Sequence, residues 1–125
     1  MISGALMAAC SPTASTTRGA AYFDATTLVS CREAFRVWVD GAASLNSPDT
    51  DLVDTLVIQE SVQRRVFELC SLVEAEKYNR EMPLEVAPGI VEPMIEPDFR
   101  TFAEVECIDE SPLLDGTPLC EDVAH

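Results

Sequence analysis

Histidine and the other basic residues are scarce in this chain. It has one histidine, His125 at its last position, and eight lysines and arginines against 22 acidic residues, which gives a net charge of −14. Without an internal histidine, neither a Ser-His nor a Cys-His nucleophile pair can be assembled. The negative charge repels nucleic acid and anionic headgroups. We therefore predict a protein that is not an enzyme and has no nucleic-acid partner.

Ligand-binding signatures are also missing. The sequence has no glycine-rich phosphate loop, no CxxC pair and no run approaching the ~18 apolar residues that span a bilayer. Asp49, Asp51 and Asp54 form the closest carboxylate cluster, but the glycine and terminal glutamate of an EF-hand loop are absent. Acidic residues at the N-terminus of a helix explain this cluster more simply. We expect no cofactor and no metal site.

The N-terminal stretch Met1–Ala9 is apolar or small throughout and ends at Cys10. The sequence Met7-Ala8-Ala9-Cys10 resembles the end of a bacterial lipoprotein signal peptide, in which an aliphatic and two small residues precede the cysteine that is lipidated. The resemblance implies that Cys10 carries a lipid and that residues 1–9 are the remnant of a signal peptide. A secretory signal also needs basic charge and about 7–15 apolar residues. We therefore expect the reading frame to extend upstream.

The residues after Cys10 have the composition of a tether. Residues 11–20 are mostly serine, threonine and alanine, and such segments are flexible linkers. We predict that residues 10–22 tether a single small domain, residues 23–125, to the membrane. The order of remnant, cysteine, tether and domain implies a location at the outer face of a bacterial cytoplasmic membrane.

The cysteine count points to the same compartment. If Cys10 is lipidated, four cysteines remain, and four can form two disulfides in an oxidising environment. Three connectivities are possible from sequence alone. Cys107 and Cys120 bracket a short segment with turn residues, so their pairing is local, whereas Cys31 and Cys70 lie in two helical patterns that a bond would join. We predict Cys31–Cys70 and Cys107–Cys120, worth about 4 and about 3 kcal/mol respectively in the chain-entropy model.

Residues 23–82 carry helical patterns. From about Asp24 to Ala43, apolar residues recur at steps of three and four, and Trp38 belongs to this stripe as a core residue. A break at residues 44–50 precedes a second, longer pattern over about 48–79. Its predicted inward residues are Leu52, Leu56, Val62, Val66, Leu69, Cys70, Val73 and Tyr78. The sequence therefore predicts a mainly α protein built on an antiparallel helical hairpin, about 24–43 and 48–79.

Residues 83–125 have a different texture. They contain six of the eight prolines and hold 11 acidic residues against one basic residue, Arg100. In residues 83–99 a proline at every fourth or fifth position bars a long helix, so we predict that this part is an extended segment that wraps over the helices. The alternation in residues 103–107 indicates a short strand with Glu104 and Glu106 on one face. We predict that this acidic, proline-rich region contains at most one short β-hairpin and is cross-linked by the Cys107–Cys120 disulfide.

Two classes of function remain open. The first is a small exported, membrane-anchored lipoprotein that acts as a non-enzymatic binding or modulating protein at the cell surface. The alternative is an unlipidated acidic small subunit or inhibitor that docks on a basic protein partner. In either class we predict that the C-terminal region recognises a protein partner through carboxylates of the loop around Asp109, Glu110 and Asp115.

Overall fold

The computed structural model describes residues 23–45 and 51–124. These residues form five α-helices and a two-stranded sheet, which confirms the predicted mainly α class. None of the helices in the described ranges is long and apolar enough to cross a membrane. A 3-10 turn at Ala25–Thr27 comes first, followed in chain order by α1 (Cys31–Ser44), α2 (Leu52–Leu69), α3 (Leu72–Glu81), β1 (Leu84–Ala87), β2 (Ile90–Glu92), α4 (Phe99–Asp109) and α5 (Pro118–Val123).

Helices α1 and α2 form the predicted antiparallel hairpin. The Cys31–Cys70 disulfide joins the start of α1 to the residue after α2, with the two Cα atoms 4.8 Å apart. Further along the pair, Nε2 of Gln59 donates to the Trp38 carbonyl at 2.9 Å. Gly41 permits this approach because a Cβ at that position would overlap the Gln59 carboxamide. The hairpin is therefore fixed by a covalent bond and by a side chain that crosses between the helices.

Helix α1 begins later than its pattern suggests. The predicted start at Asp24 is wrong, because Asp24 instead caps the 3-10 turn and Ser30 is the N-cap of α1, accepting from the Glu33 N–H. The inward stripe of this helix is nevertheless as predicted, with Trp38 buried beside Phe35. At the N-terminus of α2, the Asp51 carboxylate accepts from the Asp54 N–H, so this acid acts as a helix cap.

The second helical pattern is two helices and not one. Cys70 is extended, and Ser71 opens α3 with a capping box in which its hydroxyl and the Glu74 side chain satisfy each other's backbone N–H. The break changes the phase of the inward face, so Leu72 is buried while Val73 is 74% exposed. The predicted inward positions Leu52 and Leu56 are also exposed. Val62, Val66 and Cys70 are buried as expected.

The proline-rich segment after α3 is extended and includes a short hairpin, as predicted. Strands β1 and β2 pair antiparallel, with Leu84 opposite Glu92. Gly89 adopts a φ of +78° in the turn between them, a conformation that favours glycine. Beyond the hairpin, Asn79 of α3 holds the chain by hydrogen bonds to both the N–H and the carbonyl of Ile95. A buried amide therefore fixes the segment where regular structure is lacking.

The strand predicted around residues 103–107 is wrong, because Phe99–Asp109 is helix α4. Asp98 caps it by accepting from the Arg100 N–H at 3.1 Å. Phe99 and Ala103 form its buried face, and Phe102 packs partly buried against the core. A helix satisfies its own backbone groups, whereas a lone strand here would need a partner that the fold does not offer.

The core is aromatic where α1, α2 and α4 meet. Phe99 and Phe102 of α4 pack on Trp38, with ring centroids 6.4 and 6.0 Å from the indole. Phe67 of α2 reaches Phe102 from the other side at 6.3 Å. Offset and edge-to-face ring pairs of this kind add stability beyond the area that they bury. Trp38 is therefore a core residue, as its place in the stripe indicates.

Candidate functional site

The C-terminal end of the fold is a helix pair closed by a disulfide. Cys107 in α4 and Cys120 in α5 are bonded, with their Cα atoms 5.7 Å apart. Helix α5 starts where Thr117 accepts from the Cys120 N–H and Pro118 fills the first helical position. Its Asp122 carboxylate accepts from the Leu72 N–H at 2.8 Å, which ties α5 to the N-terminus of α3. Both predicted cysteine pairs are thus present as disulfides.

The turn between α4 and α5 is ordered by its own hydrogen bonds. The Ser111 hydroxyl donates to the Asp115 carboxylate at 3.0 Å. The backbone N–H of Asp115 donates to the Pro112 carbonyl at 3.1 Å, and that of Leu114 to the Glu110 carbonyl at 3.0 Å. Gly116 completes the turn with a φ of +83°. The Asp115-Gly116 turn expected from the sequence is therefore present.

A groove of about 520 Å³ lies between α4, α5 and this turn. Cys107 and Cys120 line it together with the apolar side chains of Ile108 and Val123. Ile108 is 76% exposed, the largest exposed fraction among the exposed large hydrophobic residues of the described ranges, and Val105 on the same helix is 49% exposed. The groove thus offers a solvent-accessible apolar wall beside a disulfide. We call it the C-terminal groove.

Carboxylates surround the apolar wall. Glu104, Asp115 and Glu121 line the C-terminal groove. Arg100 forms an ion pair with one of them, with its Nε 3.4 Å from Oε2 of Glu104. The groove therefore combines an apolar surface with a rim of formal negative charge.

The three acids predicted to form the recognition surface do not all border the same cavity. Asp115 lines the C-terminal groove, whereas the half-buried Glu110 lines a separate cavity of about 260 Å³ against α2. In that cavity Nε2 of Gln63 donates to Oε1 of Glu106 at 2.7 Å. Asp109 is exposed at the end of α4 and lines neither cavity. Of the predicted set, Asp115 lines the C-terminal groove, and Glu104 and Glu121 line it with Asp115.

Sequence reasoning missed three groove residues: Ile108, Glu104 and Glu121. Glu104 lies within the segment 103–107 predicted as a strand, and Ile108 directly follows that segment, so the face of α4 that carries both residues could not be predicted. Glu121 reaches the groove because the disulfide folds α5 back beside α4. The cysteine spacing was the one signal that could have brought these residues together.

A second apolar surface lies on the first two turns of α2. Leu52, Val53, Leu56 and Val57 are each about half exposed or more. Their spacing places them on one side of the helix. Leu56 also borders the cavity that Glu110 lines.

Cys10, the predicted lipidation site, lies outside the described residues, and so do the proposed signal remnant and tether. Among residues 23–45 and 51–124, no group of three His, Cys, Asp or Glu side chains is placed to hold a metal ion. No protein-family model matches the sequence, and neither the curated proteins nor the solved structures yielded a significant match.

Proposed function

We propose that this chain is an exported lipoprotein, anchored through Cys10 at the outer face of a bacterial cytoplasmic membrane, where it acts as a non-enzymatic binding or modulating protein. The observation that carries the proposal is the allocation of the cysteines. Four of the five are paired in two disulfides, which leaves Cys10, the residue at the lipobox-like position. Disulfides persist in extracytoplasmic compartments and are rare in the reducing cytosol.

The binding role is supported by the C-terminal groove. Non-obligate interfaces combine an apolar centre with a polar rim, and this groove has Ile108 and Val123 beside three carboxylates. A protein partner with a basic surface would be attracted over the screening length of about 8–10 Å at physiological salt. The predicted acids Asp109, Glu110 and Asp115 contribute to that attraction even though only Asp115 lines the groove.

Membrane fractionation tests the anchor. In the native host, the unaltered protein is expected in the membrane fraction and the Cys10→Ala variant in the soluble extracytoplasmic fraction. Ser11→Ala is the matched control and should remain with the membrane, because it leaves the cysteine in place. Retention of Cys10→Ala in the membrane would contradict the anchor.

The alternative is an unlipidated acidic subunit or inhibitor that docks on a basic partner. It is favoured by the concentration of acidic residues in the segment 83–125, which contains 11 acidic residues and one basic residue, Arg100. Both candidates predict that neutralising Asp109, Glu110 and Asp115 slows association with the partner, since surface charges steer encounter. Replacement by asparagine and glutamine keeps an oxygen that can accept from the Ser111 hydroxyl, so the melting temperature should stay nearly unchanged. Only the lipoprotein requires Cys10 for membrane association, so fractionation separates the two.

A further inference from the structure

We infer that the C-terminal groove binds a peptide segment of a partner protein, one that inserts an aliphatic side chain against Ile108 and places lysine or arginine beside the acidic rim. This inference deepens the proposed binding function and rests on it. It adds the chemistry of the partner and the place where the partner is held.

The shape and surface of the groove favour an apolar insertion. Its volume of about 520 Å³ lies within the range of about 300–1,000 Å³ that is typical of ligand pockets. Ile108, Val123 and the Cys107–Cys120 disulfide provide apolar atoms that water covers in the free protein. An aliphatic side chain that displaces this water gains the hydrophobic contribution of both surfaces.

The charges around the groove favour basic residues on either side of the inserted aliphatic residue of the partner. Glu104, Asp115 and Glu121 line it, and in the described part of the chain Arg100 forms an ion pair with Glu104. A segment with basic residues on either side of its aliphatic residue would therefore meet Asp115 and Glu121, which form no ion pair within the described residues, while an acidic segment would be repelled. A second copy of this chain also carries a net charge of −14, so like-charge repulsion disfavours it as the occupant.

The walls of the groove are set before a partner arrives. The disulfide joins α4 to α5, and the Ser111–Asp115 hydrogen bond orders the turn between them. The Asp122–Leu72 hydrogen bond fixes α5 against α3. A preformed site loses less conformational entropy on binding than a site that must be ordered. A short peptide can therefore serve as a probe of this groove.

The experiment uses the full 125-residue chain with Cys10→Ala, purified with both disulfides oxidised. The probe is a synthetic five-residue peptide with a central leucine flanked by two lysines on each side, acetylated at its N-terminus and amidated at its C-terminus. One control peptide has glycine in place of the leucine, and another has glutamates in place of the lysines. Binding is measured by titration calorimetry and by backbone amide shifts in NMR spectra.

We expect the leucine–lysine peptide to shift the amides of Ile108, Gly116 and Val123, and both control peptides to bind at least about tenfold more weakly. In the protein, Ile108→Ser and Glu121→Gln should each weaken binding about five- to tenfold. Val73→Ser and Glu81→Gln are the matched controls. Val73 is 74% exposed on α3, close to the 76% of Ile108, and Glu81 is also exposed. These controls should leave the affinity unchanged within about twofold.

Several results would overturn the inference. They are absence of binding by the leucine–lysine peptide, equal binding of the glutamate peptide, and amide shifts confined to Leu52–Val57 of α2. Melting temperatures and disulfide content of each variant establish that a lost affinity is not a lost fold. If the peptide does not bind but membrane association still depends on Cys10, the peptide-binding inference is refuted and the lipoprotein proposal stands. If the peptide binds but Cys10 is not lipidated in the native host, the peptide-binding inference stands and the lipoprotein proposal is refuted.

Discussion

Asn79 illustrates how one side chain orders a segment that has no regular structure. Its amide lies buried on α3, and it both donates to the Ile95 carbonyl at 2.9 Å and accepts from the Ile95 N–H at 3.1 Å. Asn79 is the one polar residue that is buried among the described residues. The amide thus replaces the backbone partners that a strand or helix would have supplied to this part of the chain.

Removal of that amide should destabilise the fold. We expect Asn79→Ala to lower the free energy of unfolding by about 1–3 kcal/mol, because the half-buried N–H and carbonyl of Ile95 lose their partners. The exposed neighbour Arg80 provides the control, and Arg80→Ala should change stability by less than about 0.5 kcal/mol. Chemical denaturation followed by circular dichroism measures both. Equal effects of the two substitutions would mean that the Asn79 bonds contribute nothing.

Two helix-capping aspartates have altered acidity. The hydroxyl of Thr101 donates to the Asp98 carboxylate at 2.6 Å, and this bond is the main reason that the pKa of Asp98 lies below its ordinary value. Thr26 acts in the same way on Asp24, again lowering the pKa. In both cases a hydrogen bond to the ionised form favours that form.

The lowered pKa of Asp98 makes its contribution to stability dependent on pH. The contribution is fully present above the ordinary aspartate pKa of about 3.9 and is lost as the pH falls through the lower, folded-state value. We expect Thr101→Val to raise the pKa of Asp98, and we expect its cost in stability to shrink once the pH is below about 4. NMR titration of the carboxyl carbons measures the shift. Thr26→Val should raise the pKa of Asp24 alone, and a change at Asp98 in that variant would refute the local cause.

At the scale of secondary-structure elements, the sequence predicts the buried face of a helix correctly where one uninterrupted apolar period defines that face. The α1 stripe was predicted correctly because each of its positions is set by the period of one continuous helix. The break before α3 was missed, although Ser71 and Glu74 form a capping-box signature that is visible in the sequence. The apolar spacing continues across Cys70 and Ser71, so periodicity alone favours one long helix.

Helix α4 shows the opposite difficulty. Residues 103–107 alternate between apolar and acidic, but Phe99, Ala103 and Cys107 are also spaced by four. Both periods fit such a short segment, and the choice is made by the aromatic core onto which Phe99 packs. Tertiary packing also decides the composition of the candidate site. Asp115 was predicted from the sequence, whereas Glu104 and Glu121 line one groove only because α5 packs beside α4.

The two disulfides differ in burial, and we expect them to differ in reactivity. Cys70 is fully buried and Cys31 nearly so, whereas Cys107 is half-buried and lines the C-terminal groove. Thiol–disulfide exchange requires access of the attacking thiolate to a sulfur. A limited treatment with reductant should therefore open Cys107–Cys120 first.

Alkylation of the released thiols and peptide mapping measure the order of opening. A melting temperature taken on the singly reduced species should be lower, since closing this loop is worth about 3 kcal/mol in the chain-entropy model. Prior opening of Cys31–Cys70 would contradict the assigned burial of that bond.

At the scale of the whole molecule, an anchor at Cys10 is compatible with binding of a partner at the C-terminal groove. If Cys10 carries a lipid, the 12 residues 11–22 separate it from Phe23. At no more than about 3.3–3.6 Å per residue, they allow the domain to lie up to ~40 Å from the anchor. A chain with a net charge of −14 is also repelled by an anionic membrane surface. Both properties would leave the C-terminal groove accessible to partners outside the membrane.

The central claim is that Cys10 is the lipidated N-terminal residue of the mature protein. Intact mass spectrometry of the protein extracted from host membranes with detergent tests it most directly. We predict that the mature chain starts at Cys10, that its mass exceeds the sequence mass by a diacylglyceryl group, and that four cysteines are oxidised. A chain that retains the residues before Cys10, or one whose Cys10 is an unmodified thiol, would contradict the account.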